Sequence, residues 1–205
     1  MTISPDYRRR LVIMVKEPRA GRVKTRLGRD LGMTAAAWWF RHQALRLVRD
    51  MQDPRWETIL AVSPDSQGLT SRIWPAHLPR WPQGRGDLGV RMRRAVVAMP
   101  PGPVIIIGAD IPGITRMHIR SAFQTLGHRD TVIGPATDGG YWLIGFARKR
   151  PPRRDLFSNV RWSTEHTLQD TLTSLDRLTT GFVETLRDVD NLDDLNHIFR
   201  TTPDP

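Results

Sequence analysis

The run VIIIGAD at residues 104–110 is apolar on both of the faces a strand would present, and it ends in a carboxylate. Such a run is at home only in a strand covered on both sides, the signature of a parallel sheet between helices. LVIMV at 11–15 and TILAV at 58–62 repeat the pattern. Segments of helical length separate these runs. TAAAWWFRHQALRLVRDM at 34–51 has Thr34 placed to cap it, and LGVRMRRAVVAM at 88–99 is stopped by Pro100 and Pro101. TRMHIRSAFQTLG at 115–127 reads as a helix with Gly127 at its C-terminal end. TVIGP (131–135) and YWLIGFA (141–147) predict two more strands, and STEHTLQDTLTSL (163–175) predicts a helix. FVETL (182–186) reads as a last strand and NLDDLNHIF (191–199) as a last helix. This alternation predicts an α/β fold, a three-layer α/β/α sandwich around a mostly parallel sheet. With 205 residues and no long linker or repeat, one domain over 1–205 is expected. Ligands of such sheets bind at the carboxyl ends of the strands.

Composition narrows the chemistry. There is no cysteine, which excludes disulfides, thiolate catalysis and cysteine-bound metal. A metal site must then use carboxylate, histidine or main-chain oxygen, and oxygen ligands favour Mg²⁺ or Mn²⁺. No apolar run reaches the ~20 residues of a membrane span, and the first residues show no signal-peptide pattern. A cytoplasmic protein without a membrane partner is expected. The net charge of +10 suggests acidic partners. Of 31 basic residues 28 are arginine, a skew that composition bias alone can produce. Two of the three lysines, Lys16 and Lys24, nevertheless fall in one short stretch, MVKEPRAGRVKTRL at 14–27. A compact ammonium is not equivalent to the planar arginine fork, so both lysines are candidates for specific work.

Five segments carry candidate chemistry. The first is that stretch, which follows the first strand and so lies at the carboxyl edge. Gly21 allows close backbone approach, and backbone N–H groups with Lys24 and Arg26 could hold a diphosphate. The alternative is a merely basic surface loop. Neither the P-loop spacing nor the Rossmann glycine pattern is present. The second is GADIPG at 108–113, where Asp110 is either a cap or a Mg²⁺ or Mn²⁺ ligand. GPATDGGYWLIG at 134–145 is the third. Asp138-Gly139-Gly140 reads as a hairpin turn, or as a backbone that a ligand approaches with Asp138 and Tyr141 beside it. The fourth, DVDNLDDL at 188–195, is either a helix N-terminus or, through Asp188 or Asp190, a share in a metal site with Asp110. In the fifth, QGRGDLGVRM at 83–92, Asp87 either caps a helix or lies over a nucleotide base or ribose. The six histidines have no metal-ligand spacing. Seven tryptophans in a basic chain raise single-stranded nucleic acid as a rival ligand. Trp38, Trp39 and Trp142 fit core packing better, so no specific nucleic-acid partner is expected.

Taken in order, these segments resemble the small bacterial GT-A-type transferases known as selenodomain-associated or arsenosugar-biosynthesis glycosyltransferase-like proteins, relatives of 2-phospho-lactate guanylyltransferase and molybdopterin guanylyltransferase. The loop pattern of that family is met by Lys16, Pro18, Gly21, Val23, Lys24, Thr25, Arg26 and Leu27. Its Gly-Asp-Leu-Gly-x-Arg-Met segment is met at 86–92, with Val90 where relatives often carry glutamate. Gly-x-Asp-x-Pro falls at 108–112, Gly-Pro-x-x-Asp-Gly-Gly-Tyr at 134–141, Trp-Ser-Thr at 162–164 and Asp-Val-Asp at 188–190. The resemblance implies a nucleotide-diphospho-sugar transferase fold with a metal-dependent glycosyltransferase-like activity on a nucleotide sugar and a small-molecule acceptor. A nucleotidylyltransferase, joining a nucleoside triphosphate to a phosphorylated small molecule, is the alternative, and a non-catalytic nucleotide- or nucleic-acid-binding protein is a third. Carried over residue by residue, it implies Lys16, Gly21, Lys24, Thr25, Arg26, Gly86, Asp87 and Arg91 on the nucleotide. It implies Gly139, Gly140, Tyr141 and Trp162 on the substrate, Asp110, Lys24 and Asp138 in catalysis, and Asp110 with Asp188 and Asp190 on Mg²⁺ or Mn²⁺. A homodimer is compatible with it.

Overall fold

The computed structural model describes residues 7–187 together with Val189 and Asp194. In chain order the elements are β1 (Arg10–Lys16), α1 (Thr25–Leu31), α2 (Met33–Asp50), β2 (Glu57–Ser63), α3 (Asp65–Thr70), β3 (Arg80–Pro82) and α4 (Leu88–Ala98). They continue with β4 (Val104–Gly108), α5 (Arg116–His128), β5 (Thr131–Pro135), β6 (Tyr141–Phe146), α6 (Thr167–Ser174) and β7 (Thr180–Phe182).

One seven-stranded sheet runs in the order β3-β2-β1-β4-β6-β5-β7. Strand β6 pairs antiparallel with both β4 and β5, and every other pairing is parallel. Val12 sits beside Ile59 of β2 and Ile106 of β4, so the three most apolar strands share the centre. Side chains alternate across the sheet. Leu11, Ile13 and Val15 face the layer formed by α2 and α5, where Phe40, Ala44, Leu47, Ile119 and Phe123 are buried. Val12 and Ile106 face the opposite layer, with Met92 and Val96 of α4 and the partly buried Leu168 and Leu172 of α6. The chain is therefore an α/β sandwich with a mostly parallel sheet. Among the described residues no helix is long and apolar enough to cross a membrane.

Several local expectations need correction. Thr34 does not cap α2: the helix starts at Met33 after Gly32, whose φ of 89° makes the tight joint with α1. Gly127 lies inside α5, which runs to His128. The start of that helix is fixed by Thr115, whose hydroxyl accepts from His118 N while the His118 ring accepts from Thr115 N. The expected helix at 163–175 begins at Thr167, because Ser163 has φ 61° and residues 163–166 turn. The last strand lies at Thr180–Phe182 rather than 182–186, with the chain continuing alongside β5 through Val183 N to Ile133 O and Leu186 N to Pro135 O. The expected helix at 191–199 lies outside the described residues, Asp194 excepted.

Candidate active site

Three loops and one segment converge on the carboxyl edge of the sheet. The loop after β1 turns through Arg22 N to Arg19 O, with Gly21 at φ 72°. It is pinned by Val23, buried in the core. Pinning there sets Lys24, which takes a left-handed conformation (φ 45°, ψ 48°) just before α1. Its Nζ lies 3.0 Å from Asp110 Oδ2, with the lysine side chain 6% exposed and the aspartate 43%. Asp110 follows β4 by two residues. A Cβ on Gly108 would stand 2.8 Å from Asp110 Oδ1, so the carboxylate folds back over the end of the central strand.

The hairpin between β5 and β6 forms the second side. Asp138 Oδ1 accepts from Gly140 N at 2.8 Å, which fixes the turn. Gly139 has φ 85°, and a Cβ on it would meet Glu165 O at 2.4 Å. The glycine therefore serves the approach of the 163–166 turn, and Gly139 O accepts from Leu168 N at 2.9 Å. The roof is Trp162. Its ring lies against Gly89, where a Cβ would be 2.6 Å from Trp162 Cζ2, and edge-on to Phe157 at 6.0 Å. Arg161 secures this segment by donating through Nε and N–Hη2 to both oxygens of Asp170, at 2.8 and 2.9 Å. The guanidinium beside Asp170 brings its carboxyl down from 3.8 to about 2.

These parts enclose a cavity of about 710 Å³, the size of a small-molecule site. Lys16, Arg22, Lys24, Thr25 and Arg26 line it from the first loop, and Asp110 from the second. The hairpin contributes Asp138, Gly140 and Tyr141, and Trp162 and Glu165 complete it. Tyr141 lines the wall, but its hydroxyl is buried beside Thr171, and burial pushes the phenol up.

Other sequence candidates are placed elsewhere. Gly21 is an exposed turn outside the lining. Asp87 caps α4 by accepting from Val90 N at 2.8 Å, Arg91 Nε donates to Gly86 O at 2.9 Å, and of α4 itself Leu88 and Met92 reach the cavity. Gly139 lies beneath Glu165 rather than on the lining. Asp188 and Asp190 lie outside the described residues. Sequence reasoning gave Gln83 no role, yet it is a buried cavity residue whose Nε2 donates to Val15 O and Ala61 O. Nothing local in the sequence marks it, because its burial and both of its acceptors are set by strands distant in the chain.

A divalent ion such as Mg²⁺ needs hard oxygen donors. Among the described residues no three histidines or carboxylates cluster. Mg²⁺ characteristically uses one or two carboxylates and completes its shell with phosphate oxygens and water. Asp110 suits that: a hard oxygen donor, half-exposed, at a position where an ammonium cation already sits.

The chain is similar to several known proteins. The family model described as "Uncharacterized protein conserved in bacteria (DUF2064)" matches residues 47–164, the span containing Asp110, Asp138 and Trp162. The "putative nucleotide-diphospho-sugar transferase from Desulfovibrio desulfuricans G20" superposes with a TM-score of 0.86 at 29% identity, over 97% of this chain and 89% of that one. Rv0371C of Mycobacterium tuberculosis H37Rv, in complex with manganese, matches with a TM-score of 0.56 at 17% identity, over 95% and 99%. CMP:2-keto-3-deoxy-manno-octonic acid synthetase complexed with CTP matches at 0.56 and 11%, over 93% of this chain and 96% of that one. At those identities the last two attest the fold alone. No curated protein matches the sequence.

Proposed function

We propose that this chain, which belongs to the DUF2064 family conserved in bacteria, is a metal-dependent, glycosyltransferase-like enzyme. It would take a nucleotide-diphospho-sugar as donor and a small molecule as acceptor. One observation carries the reading: Lys24 and Asp110, 3.0 Å apart, face a cavity whose first loop also presents Lys16, Arg22 and Arg26. Four cations on one wall suit a diphosphate, and one carboxylate opposite suits the cation that accompanies it. The likeness to the Desulfovibrio protein agrees with this reading. The finer affinity to the selenodomain-associated branch is part of the proposal.

In this reading Lys24, Arg26, Lys16 and Thr25 hold the diphosphate, and the segment of Gly86, Asp87 and Arg91 presents Leu88 and Met92 toward the nucleoside. Asp110 would hold Mg²⁺ or Mn²⁺, and the ion would supply Lewis-acid stabilisation of the diphosphate charge. Transfer breaks the bond between the sugar's anomeric carbon and the diphosphate oxygen and forms one to an acceptor hydroxyl. Asp138, its Oδ1 fixed by Gly140 N–H, takes the proton that hydroxyl loses. Lys24 and Arg26 stabilise the charge arriving on the departing nucleoside diphosphate. Trp162 roofs the acceptor and Gly140 and Tyr141 form its wall.

Nucleotidyl transfer is a second reading, because the same four loop cations can equally hold a triphosphate. The products separate the two. Purified chain with Mn²⁺ is offered nucleotide sugars and, separately, nucleoside triphosphates. Release of free nucleoside diphosphate supports the first and release of pyrophosphate the second. If no nucleotide of either class raises the melting temperature or turns over, both readings fail.

A further inference from the structure

A second concavity lies on the edge of the sheet opposite the candidate active site. Residues preceding β1, β2 and β4, the last turn of α5 and the segment after β6 enclose about 850 Å³. None of the residues assigned above to nucleotide, metal or acceptor lines it.

Its chemistry is divided in two. The floor is apolar: Trp56, Phe123, Leu126 and Ala147 are each no more than 6% exposed. Around it stand Arg8, Arg9, Arg55 and Lys149, with Glu57 as the one lining carboxylate. These charges do not cancel within the cavity. Glu57 Oε2 is already taken by Arg10 Nε at 3.0 Å. Arg55 is held by both oxygens of Asp53, at 2.7 and 2.6 Å, and that guanidinium brings the Asp53 carboxyl down to about 2. Arg8, Arg9 and Lys149 make no ion pair among the described residues, and Asp130, outside the cavity lining, is the carboxylate that feels the Lys149 charge. The Arg9 guanidinium stands 5.7 Å over the Phe123 ring, set against the apolar floor. Arg8 is fixed from below, since its backbone runs so close to Gly102 (φ 127°) that a Cβ there would meet Arg8 O at 2.2 Å.

We infer that this cavity is a second binding site, for a small amphipathic anion. Its ligand has an aromatic or short aliphatic body, which lies against the exposed Tyr7 above the apolar floor, and one anionic head group, which meets Arg8, Arg9 and Lys149. The volume is that of a small-molecule site. A nucleic-acid strand would need a basic track along which successive bases stack, whereas this concavity has the volume of one small molecule.

The probe is 8-anilino-1-naphthalenesulfonate, with uncharged N-phenyl-1-naphthylamine as the same kind of body without the head group. Both are titrated by fluorescence into the full chain. The sulfonate binds saturably at one site, and the neutral amine binds at least tenfold more weakly. Gly127 lies in α5 on the cavity wall, and a Cβ added there meets nothing within 4 Å. Gly127→Leu therefore fills the cavity while improving helix propensity. It lowers sulfonate affinity at least tenfold without lowering the melting temperature. Arg9→Ser with Lys149→Ser lowers sulfonate affinity at least tenfold and leaves the neutral amine within threefold; should Gly127→Leu melt early, this pair decides. Deleting residues 1–6 leaves sulfonate affinity within threefold, whereas a tenfold rise makes the cavity a seat for the chain's own leading residues and overturns the inference. It is equally overturned if a filled cavity binds the sulfonate as before, if the neutral amine binds as tightly, or if Mn²⁺ with a nucleoside diphosphate displaces the probe.

Discussion

Lys24 combines two features that seldom coincide, a left-handed backbone and a charged head buried against a partly exposed carboxylate. A non-glycine residue in that conformation costs roughly 1–2 kcal/mol, and the pinned loop imposes it. The ion pair does not repay much of that. Asp110 is 43% exposed, and pairs open to solvent contribute about 0–1 kcal/mol. Replacing the ammonium while keeping its stem should therefore barely move the unliganded protein. Lys24→Met is expected to shift unfolding in urea by no more than about 1 kcal/mol. Its affinity for nucleoside diphosphates should fall tenfold or more, with nucleosides unaffected as the internal control. Equal losses for both ligands in calorimetry would make Lys24 a structural residue. The lysines were legible because arginine dominates elsewhere. Asp87 was not, since a cap and a ligand contact call for the same residue type and only the Val90 N contact shows which role it fills here.

At the scale of elements, the 160–167 segment clamps the cavity through three contacts: Arg161 on Asp170, Trp162 on Gly89 and Glu165 on Gly139. The Asp170 carboxyl titrates near 2 instead of 3.8 because the Arg161 side chain and backbone N–H both donate to it. A lowered folded value means that the ionised form is favoured in the native state. Its contribution is thus complete above about pH 4 and is lost as the pH falls from there toward 2. The melting-temperature gap between wild type and Asp170→Asn should be constant near neutrality and close over that acidic window. A gap that persists to pH 2 would assign the effect to something other than this carboxylate. Gly139→Ala should cost more than the roughly 1–2 kcal/mol of left-handed strain, because its Cβ would also strike Glu165 O. A denaturation midpoint equal to wild type would show that the clamp yields freely. The long strands were legible because burial on both faces writes a continuous apolar run. Strand β3 has three residues and α3 six, too few for a period to show. The clamp was illegible because its contacts join residues far apart in the chain, and nothing local in Gly89 announces Trp162.

Across the whole molecule, β1 and β4 end at the carboxyl edge and bring Lys24 and Asp110 together, while the arginines that make the net charge +10 are spread over the chain. Two kinds of anion binding must then be distinguished: scattered surface attraction, which any polyphosphate would enjoy, and a built site. Salt and metal separate them. At about 0.1 M salt the Debye length is about 10 Å, so attraction by dispersed surface charges is largely screened, and a partly enclosed pair is screened less. A ligand at about a hundred times its dissociation constant stabilises the fold by roughly 2.7 kcal/mol. For a chain of this size each kcal/mol moves the melting temperature by roughly 2–4 °C. Wild type at moderate salt should therefore gain on the order of 5–10 °C with Mn²⁺ and the right nucleoside diphosphate together, and much less with either alone. Asp110→Asn keeps the shape of the side chain but loses its charge, so it should retain the gain from nucleotide alone and lose the increment that Mn²⁺ adds. A gain that is the same with and without Mn²⁺, equal in Asp110→Asn, and abolished by salt would mean that the arginine-rich surface holds the nucleotide and that Lys24 and Asp110 do no more than pair with each other.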